Sequence, residues 1–143
     1  MYKTILVPLD GSEIATSILE QVGALARGYG AKLLLLTVGQ PQSMGMSHPS
    51  DIQLTLTFQA EAYLERIRAE LTAQGFAVTT TVRIGDPADE ILEVAKQYKV
   101  DLIIMNSRGG EGAPSPFFGS VAAKVAGASS AAALVFHAPH VTA

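Results

Sequence analysis

The chain has 143 residues, 48% of them apolar and 16% charged, with a net charge of -3. This is long enough for one full hydrophobic core and too apolar for a disordered chain, and the acidic balance argues against a general nucleic-acid or membrane-surface binder. Cysteine is absent, which excludes a disulfide framework and a thiolate metal site.

The N-terminus enters a strand-like run, Thr4 to Leu9, with no signal-peptide architecture, and no apolar run approaches the roughly 20 residues of a membrane span. The expected compartment is the cytoplasm. Asp10-Gly11-Ser12 follows, then a helix pattern from about Glu13 with Ile14, Ile18, Val22 and Leu25 on one face. Gly28 and Gly30 are its stop signals. Lys32 to Val38 is a continuous apolar run, as in a strand buried on both faces. Gly39 to Asp51 reads as a long polar loop. A second helix is expected from about Ile52 to Ala73, burying Leu56, Ala60, Tyr63, Leu64, Ile67 and Leu71, with Gly75 beyond its end.

Phe76 to Ile84 alternates, as an edge or half-exposed strand does. Gly85-Asp86-Pro87 is a helix start, with Asp86 as cap and Pro87 in the first turn. Ile91, Leu92 and Ala95 form the buried face of that third helix. Val100 to Ser107 is a fourth strand, Ser120 to Ala128 a fourth helix, and Ala132 to Phe136 a short fifth strand. Nothing divides the chain, so residues 1–143 read as a single domain. Five strands alternating with four helices predict a doubly wound α/β sandwich with a mostly parallel sheet. With the strand order 3-2-1-4-5, a ligand crevice opens at the carboxyl ends of strands 1 and 4, where the order reverses.

The segment from Asn106 to Ser120 lies between an apolar strand and a helix start and carries Gly109, Gly110, Gly112 and Gly119. Strand, glycine-bearing loop and helix N-terminus make a candidate phosphate cradle: glycines let backbone N–H groups approach an anion, and the helix start supplies unpaired donors. Two readings stay open at each position. Asp10 either caps the first helix, with Ser12, or accepts hydrogen bonds from a ligand. Gly119-Ser120 is either a plain helix start or a phosphate contact, and Gly109 and Gly110 are either turn residues or part of the cradle. Asn106 tolerates left-handed backbone better than most residues and so can stand in for a glycine. Arg108 is the one cation in the loop, offset by Glu111, and Pro114 and Pro116 stiffen it. His48, His137 and His140 are scattered, and no nucleophile, base and orienting group assemble. No Gly-Lys-Ser/Thr phosphate loop and no Gly-x-Ser-x-Gly elbow is present.

Ile5-Leu-Val-Pro-Leu-Asp10-Gly-Ser12, Thr37-Val38, Gly85-Asp-Pro87, Asp101-Leu-Ile-Ile-Met105 and the final loop together resemble the universal stress protein family, over essentially the whole chain. Nucleotide-binding members carry two glycines flanking two residues, then nine residues, then Gly-Ser or Gly-Thr. Here Gly109, Gly119 and Ser120 keep that spacing, and Asn106 occupies the first glycine position. The resemblance implies ATP, ADP or AMP as ligand, with Mg2+ shared by the phosphates. It implies Pro8, Leu9, Asp10 and Val38 around adenine and ribose. Asn106, Gly109, Gly119 and Ser120 would enclose the phosphates with Arg108 nearby, and Met105 and Val121 would flank the pocket. It also implies a stress-response role, slow ATP hydrolysis at most, a regulatory protein partner, and a homodimer through the fifth strand, Ala132 to Phe136. That strand is short and uncharged, as a self-pairing edge would be. The alternative is a structural or interaction module of the same fold that does not bind nucleotide.

Overall fold

The computed structural model describes residues 2–11, 18–40, 49–106 and 116–136. Its five strands are β1 (Thr4–Pro8), β2 (Lys32–Gly39), β3 (Val78–Ile84), β4 (Leu102–Asn106) and β5 (Ala132–Phe136), and its four helices are α1 (Leu19–Tyr29), α2 (Pro49–Ala73), α3 (Pro87–Gln97) and α4 (Pro116–Ala128). The sheet order is β3-β2-β1-β4-β5. Every ladder is parallel, so the sheet is wholly rather than mostly parallel.

A parallel sheet covered on both faces needs apolar side chains on both sides of its central strands. Ile5, Leu6 and Val7 of β1, Leu33 to Leu36 of β2, and Leu102 to Met105 of β4 are all buried. Right-handed crossovers place α1 and α2 on one face and α3 and α4 on the other. The latter pair pack together, and Lys124 Nζ of α4 donates to Asp89 Oδ1 of α3 at 3.0 Å.

Local chemistry sets the helix ends. The Asp89 N–H donates to Asp86 Oδ2 at 3.0 Å, the expected cap, with Pro87 in the first turn. Gly30, at φ 65, closes α1 by donating its N–H to the Ala26 carbonyl, whereas Gly28 lies inside the helix. The expected start of α1 at Glu13 and its Ile14 lie outside the described residues; Ile18 and Val22 are buried as expected, whereas Leu25 is only partly buried and Ala26 is buried instead. α1 packs closely against Phe76 because position 23 is glycine: a Cβ there would stand 3.1 Å from the Phe76 ring. Phe76 itself precedes β3, which begins at Val78.

α2 starts at Pro49, three residues before the expected Ile52. It buries Ala60, Leu64, Ile67 and Leu71, with Tyr63 partly buried beside them. β3 and β5 are the two sheet edges. α4 also starts earlier than expected, at Pro116 rather than Ser120. Its free N–H groups therefore belong to the residues before Ser120, and proline fits the first helical position because its missing N–H would be unpaired there anyway.

Candidate functional site

The strand order reverses between β1 and β4, so the carboxyl ends of the central strands face the crevice where ligands of such folds bind. At that end a cleft of about 430 Å3 opens between the tips of β1 and β2 and the side of α2. Asp10 and Gly11 extend from β1, Thr37 to Gln40 form the end of β2, and Leu56, Gln59, Ala60 and Tyr63 project from α2.

α2 packs closely on the end of β2 because β2 ends in glycine. A Cβ at Gly39 would meet Ile84 Cδ1 at 2.9 Å and Leu56 Cβ at 3.2 Å. This face of β2 therefore looks directly at α2. Side chains alternate along a strand, so Thr37, two residues earlier, shares that face. Gly39 also accepts the Gly85 N–H at 3.0 Å, which holds the β2 and β3 ends together. On the other side, Leu9 N–H donates to the Leu36 carbonyl at 2.8 Å and carries the β1–β2 ladder past Pro8. That bond places Asp10 at the rim.

The lining has flat apolar walls, from Val38, Leu56, Ala60 and the Tyr63 ring, and polar groups at Thr37, Gln40, Gln59 and Asp10. Among the described residues, Asp10 is the one charged member of the lining. Such a surface suits a flat, neutral, hydrogen-bonding ring better than a phosphate chain. The Thr37 side chain is 7% exposed, and its Oγ1 has no hydrogen-bond partner.

The structure brings Asp10 and Val38 together in the cleft. Pro8 and Leu9 are buried just before Asp10 and do not line it. Met105, Asn106 and Val121 are buried on the β4 and α4 side, at 0%, 1% and 7% exposure. Arg108 and Gly109 lie outside the described residues. The backbone of Gly119 and Ser120 belongs to the first turns of α4, and their side chains lie outside the described set.

Asn106 departs from the sequence reading. It is the last residue of β4, paired with Phe136 of β5. Among the described residues, Lys99 is the one non-glycine with positive φ. Asn106 is thus ordinary strand backbone, not a left-handed substitute for glycine. Its polar side chain is tolerated in a buried strand because Asn106 has partners of its own.

The sequence reading missed Gly11, Thr37, Gly39, Gln40 and Gln59 as lining residues. One signal was present: Thr37 is the single polar residue in the run Leu33 to Val38 and stands at its carboxyl end. Leu56, Ala60 and Tyr63 were placed on the inner face of their helix, but as core rather than as cleft wall.

Comparison with known proteins gives one consistent family. The model of the universal stress protein family matches residues 1–137. A universal stress protein of Thermus aquaticus is 35% identical over 133 residues, covering 87% of this chain and 91% of its own. The universal stress protein MJ0577 of Methanocaldococcus jannaschii is 30% identical over 143 residues, with 87% and 88% covered. The solved structure of MJ0577 superposes with a TM-score of 0.82 at 33% identity and covers 96% of each chain. A solved universal stress protein in complex with cAMP superposes at 0.74 with 26% identity, covering 96% of this chain and 99% of the other.

Proposed function

Because the chain belongs to the universal stress protein family, we propose that it binds an adenine nucleotide at the carboxyl ends of its central strands. The base enters the cleft between β2 and α2, the ribose hydroxyls donate to the Asp10 carboxylate, and the phosphates run toward the first turn of α4. The observation that carries this reading is the cleft lining: apolar walls around a few neutral polar groups, with Asp10 as the single charge among the described residues. A base finds stacking and hydrogen bonds there, while a phosphate would stand against the Asp10 carboxylate. The start of α4 beyond the end of β4 offers backbone N–H groups for the phosphates. The cAMP complex of a relative at 26% identity supports the same ligand class.

Among the described residues no group of three or more acidic or histidine side chains is placed to hold a metal. In this reading a magnesium ion arrives on the phosphates. Nor is any described helix long and apolar enough to cross a membrane. We read the protein as a cytoplasmic regulatory module of the stress response that pairs through β5 and presents its nucleotide state to a protein partner. Denaturing freshly purified protein and chromatographing the supernatant tests the ligand class. An adenine nucleotide released in proportion to protein supports it, and release of a different ligand would replace it.

A further inference from the structure

We propose that the Thr37 hydroxyl is a base-reading contact of the cleft, hydrogen-bonding a polar edge atom of the ring that enters between β2 and α2. This rests on the nucleotide reading above and adds to it the residue that selects a hydrogen-bonding ring over a purely apolar one.

Thr37 sits in a strand whose preceding four residues, Leu33 to Leu36, are buried and apolar. Valine would fit that strand equally well, since it has the same branched shape and a higher strand preference. Threonine instead buries a hydroxyl. Among the described residues its Oγ1 is the one buried side-chain polar atom with no partner. A buried hydroxyl without a hydrogen bond destabilises the free protein, and such a group calls for an unseen water or ligand. The other buried threonine, Thr4, has no such orphaned atom.

Position turns the orphan into a reader. Thr37 lies on the face of β2 that looks at α2, the face identified by the contact between Gly39 and Leu56. It lines the cleft together with Val38, Leu56, Ala60 and Tyr63. An inserted ring would have its faces against those apolar groups and its edge toward the strand. A hydroxyl both donates and accepts and rotates to suit either. It can therefore meet a ring nitrogen or an exocyclic amine, whereas a methyl group satisfies neither.

The two demands on this residue predict opposite signs in one variant. Thr37→Val removes the orphaned hydroxyl at nearly constant shape, so the ligand-free protein should melt at the same temperature or higher. Its affinity for AMP should fall about tenfold, the scale of one lost hydrogen bond. Thr37→Ser, which keeps the hydroxyl, should bind within about threefold of the wild type on that same scale. Isothermal titration with AMP and thermal unfolding without ligand give both readouts. If wild type binds AMP and Thr37→Val binds equally well, the hydroxyl is satisfied by water and the inference is overturned while the nucleotide reading stands. A Thr37→Val protein that is less stable without ligand would assign Thr37 a structural role, which also overturns it. If wild type binds no adenine nucleotide, the nucleotide reading itself fails.

Discussion

Thr4 and Asp101 exchange two hydrogen bonds at the end of the sheet opposite the cleft. The Thr4 N–H donates to Asp101 Oδ1 at 3.1 Å, and the Asp101 N–H donates to the Thr4 carbonyl at 3.3 Å. The second carboxylate oxygen accepts the Lys3 N–H at 2.8 Å, and the Asp101 carbonyl accepts the Ala132 N–H at 3.2 Å. One residue thus fastens the starts of β1, β4 and β5, leaving the far ends of those strands to shape the site. Asp101→Ala should cost about 2 kcal/mol, the range for hydrogen bonds to a charged acceptor. Urea unfolding should show a lower midpoint with an unchanged slope. AMP affinity should stay as in wild type, because the clamp and the cleft lie at opposite ends of the sheet.

Gly39 lets α2 pack closely against the end of β2 beside the cleft. Its backbone is not left-handed, so the effect of a side chain there is purely steric. In Gly39→Ala the new methyl would meet the tip of Ile84, which can swing aside, and Leu56 Cβ at 3.2 Å, which is fixed to the α2 backbone. α2 must shift, at a cost of about 1–3 kcal/mol for overpacking. Stability and AMP affinity should both fall, and Gly39→Val should be worse in each. An Ala variant of wild-type stability would mean that α2 yields freely.

Asn106→Gly should destabilise the protein by about 1–3 kcal/mol. The change removes a buried amide from its partners and puts glycine in the strand ladder. A left-handed residue at this position would give the reverse result, since glycine would then relieve strain. Chemical denaturation of the single variant separates the two outcomes.

The fold was largely legible in the sequence because its signals are local. Continuous apolar runs marked β1, β2 and β4, Asp86-Pro87 marked the start of α3, and Ala132 to Phe136 matched β5 residue for residue. The strand order was not legible in the sequence itself; it was inferred with the doubly wound fold class, and the sheet has it. The site was less legible, because a cleft is a meeting of segments distant in the chain. Asp10 was found from the end of the first strand and Val38 from the family resemblance, but Gln59 belongs to the cleft only because α2 lies beside the end of β2. Leu56 and Tyr63 show the same limit: helical periodicity says that a residue faces inward, not whether it meets core or cavity. The starts of α2 and α4 were missed because Pro49 and Pro116, which read as loop residues, are also suited to a first helical turn.

The β5 edge makes a specific assembly prediction. Leu134 is 39% exposed on this uncovered strand, whereas Val135 packs partly against the core. Leu134 is therefore the residue to change, since a charge at Val135 would disturb the fold as well as any interface. Size exclusion with light scattering should give twice the 15.0 kDa chain mass for wild type and the single chain mass for Leu134→Glu. A dimer that survives Leu134→Glu uses another surface, and a monomeric wild type removes the proposal.

Isothermal titration with AMP, ADP and ATP, each with and without magnesium, tests the central claim most directly. The Asn106 to Ser120 loop carries one cation, Arg108, offset by Glu111, so each added phosphate gains little beyond the backbone N–H groups at the start of α4. All three nucleotides should therefore bind, with dissociation constants within about tenfold of one another, a spread of roughly 1.4 kcal/mol. Asp10→Ala should weaken all three in parallel, because the ribose is common to them. No heat from any of the three up to millimolar concentration, in protein shown to be folded and free of bound nucleotide, would contradict the account.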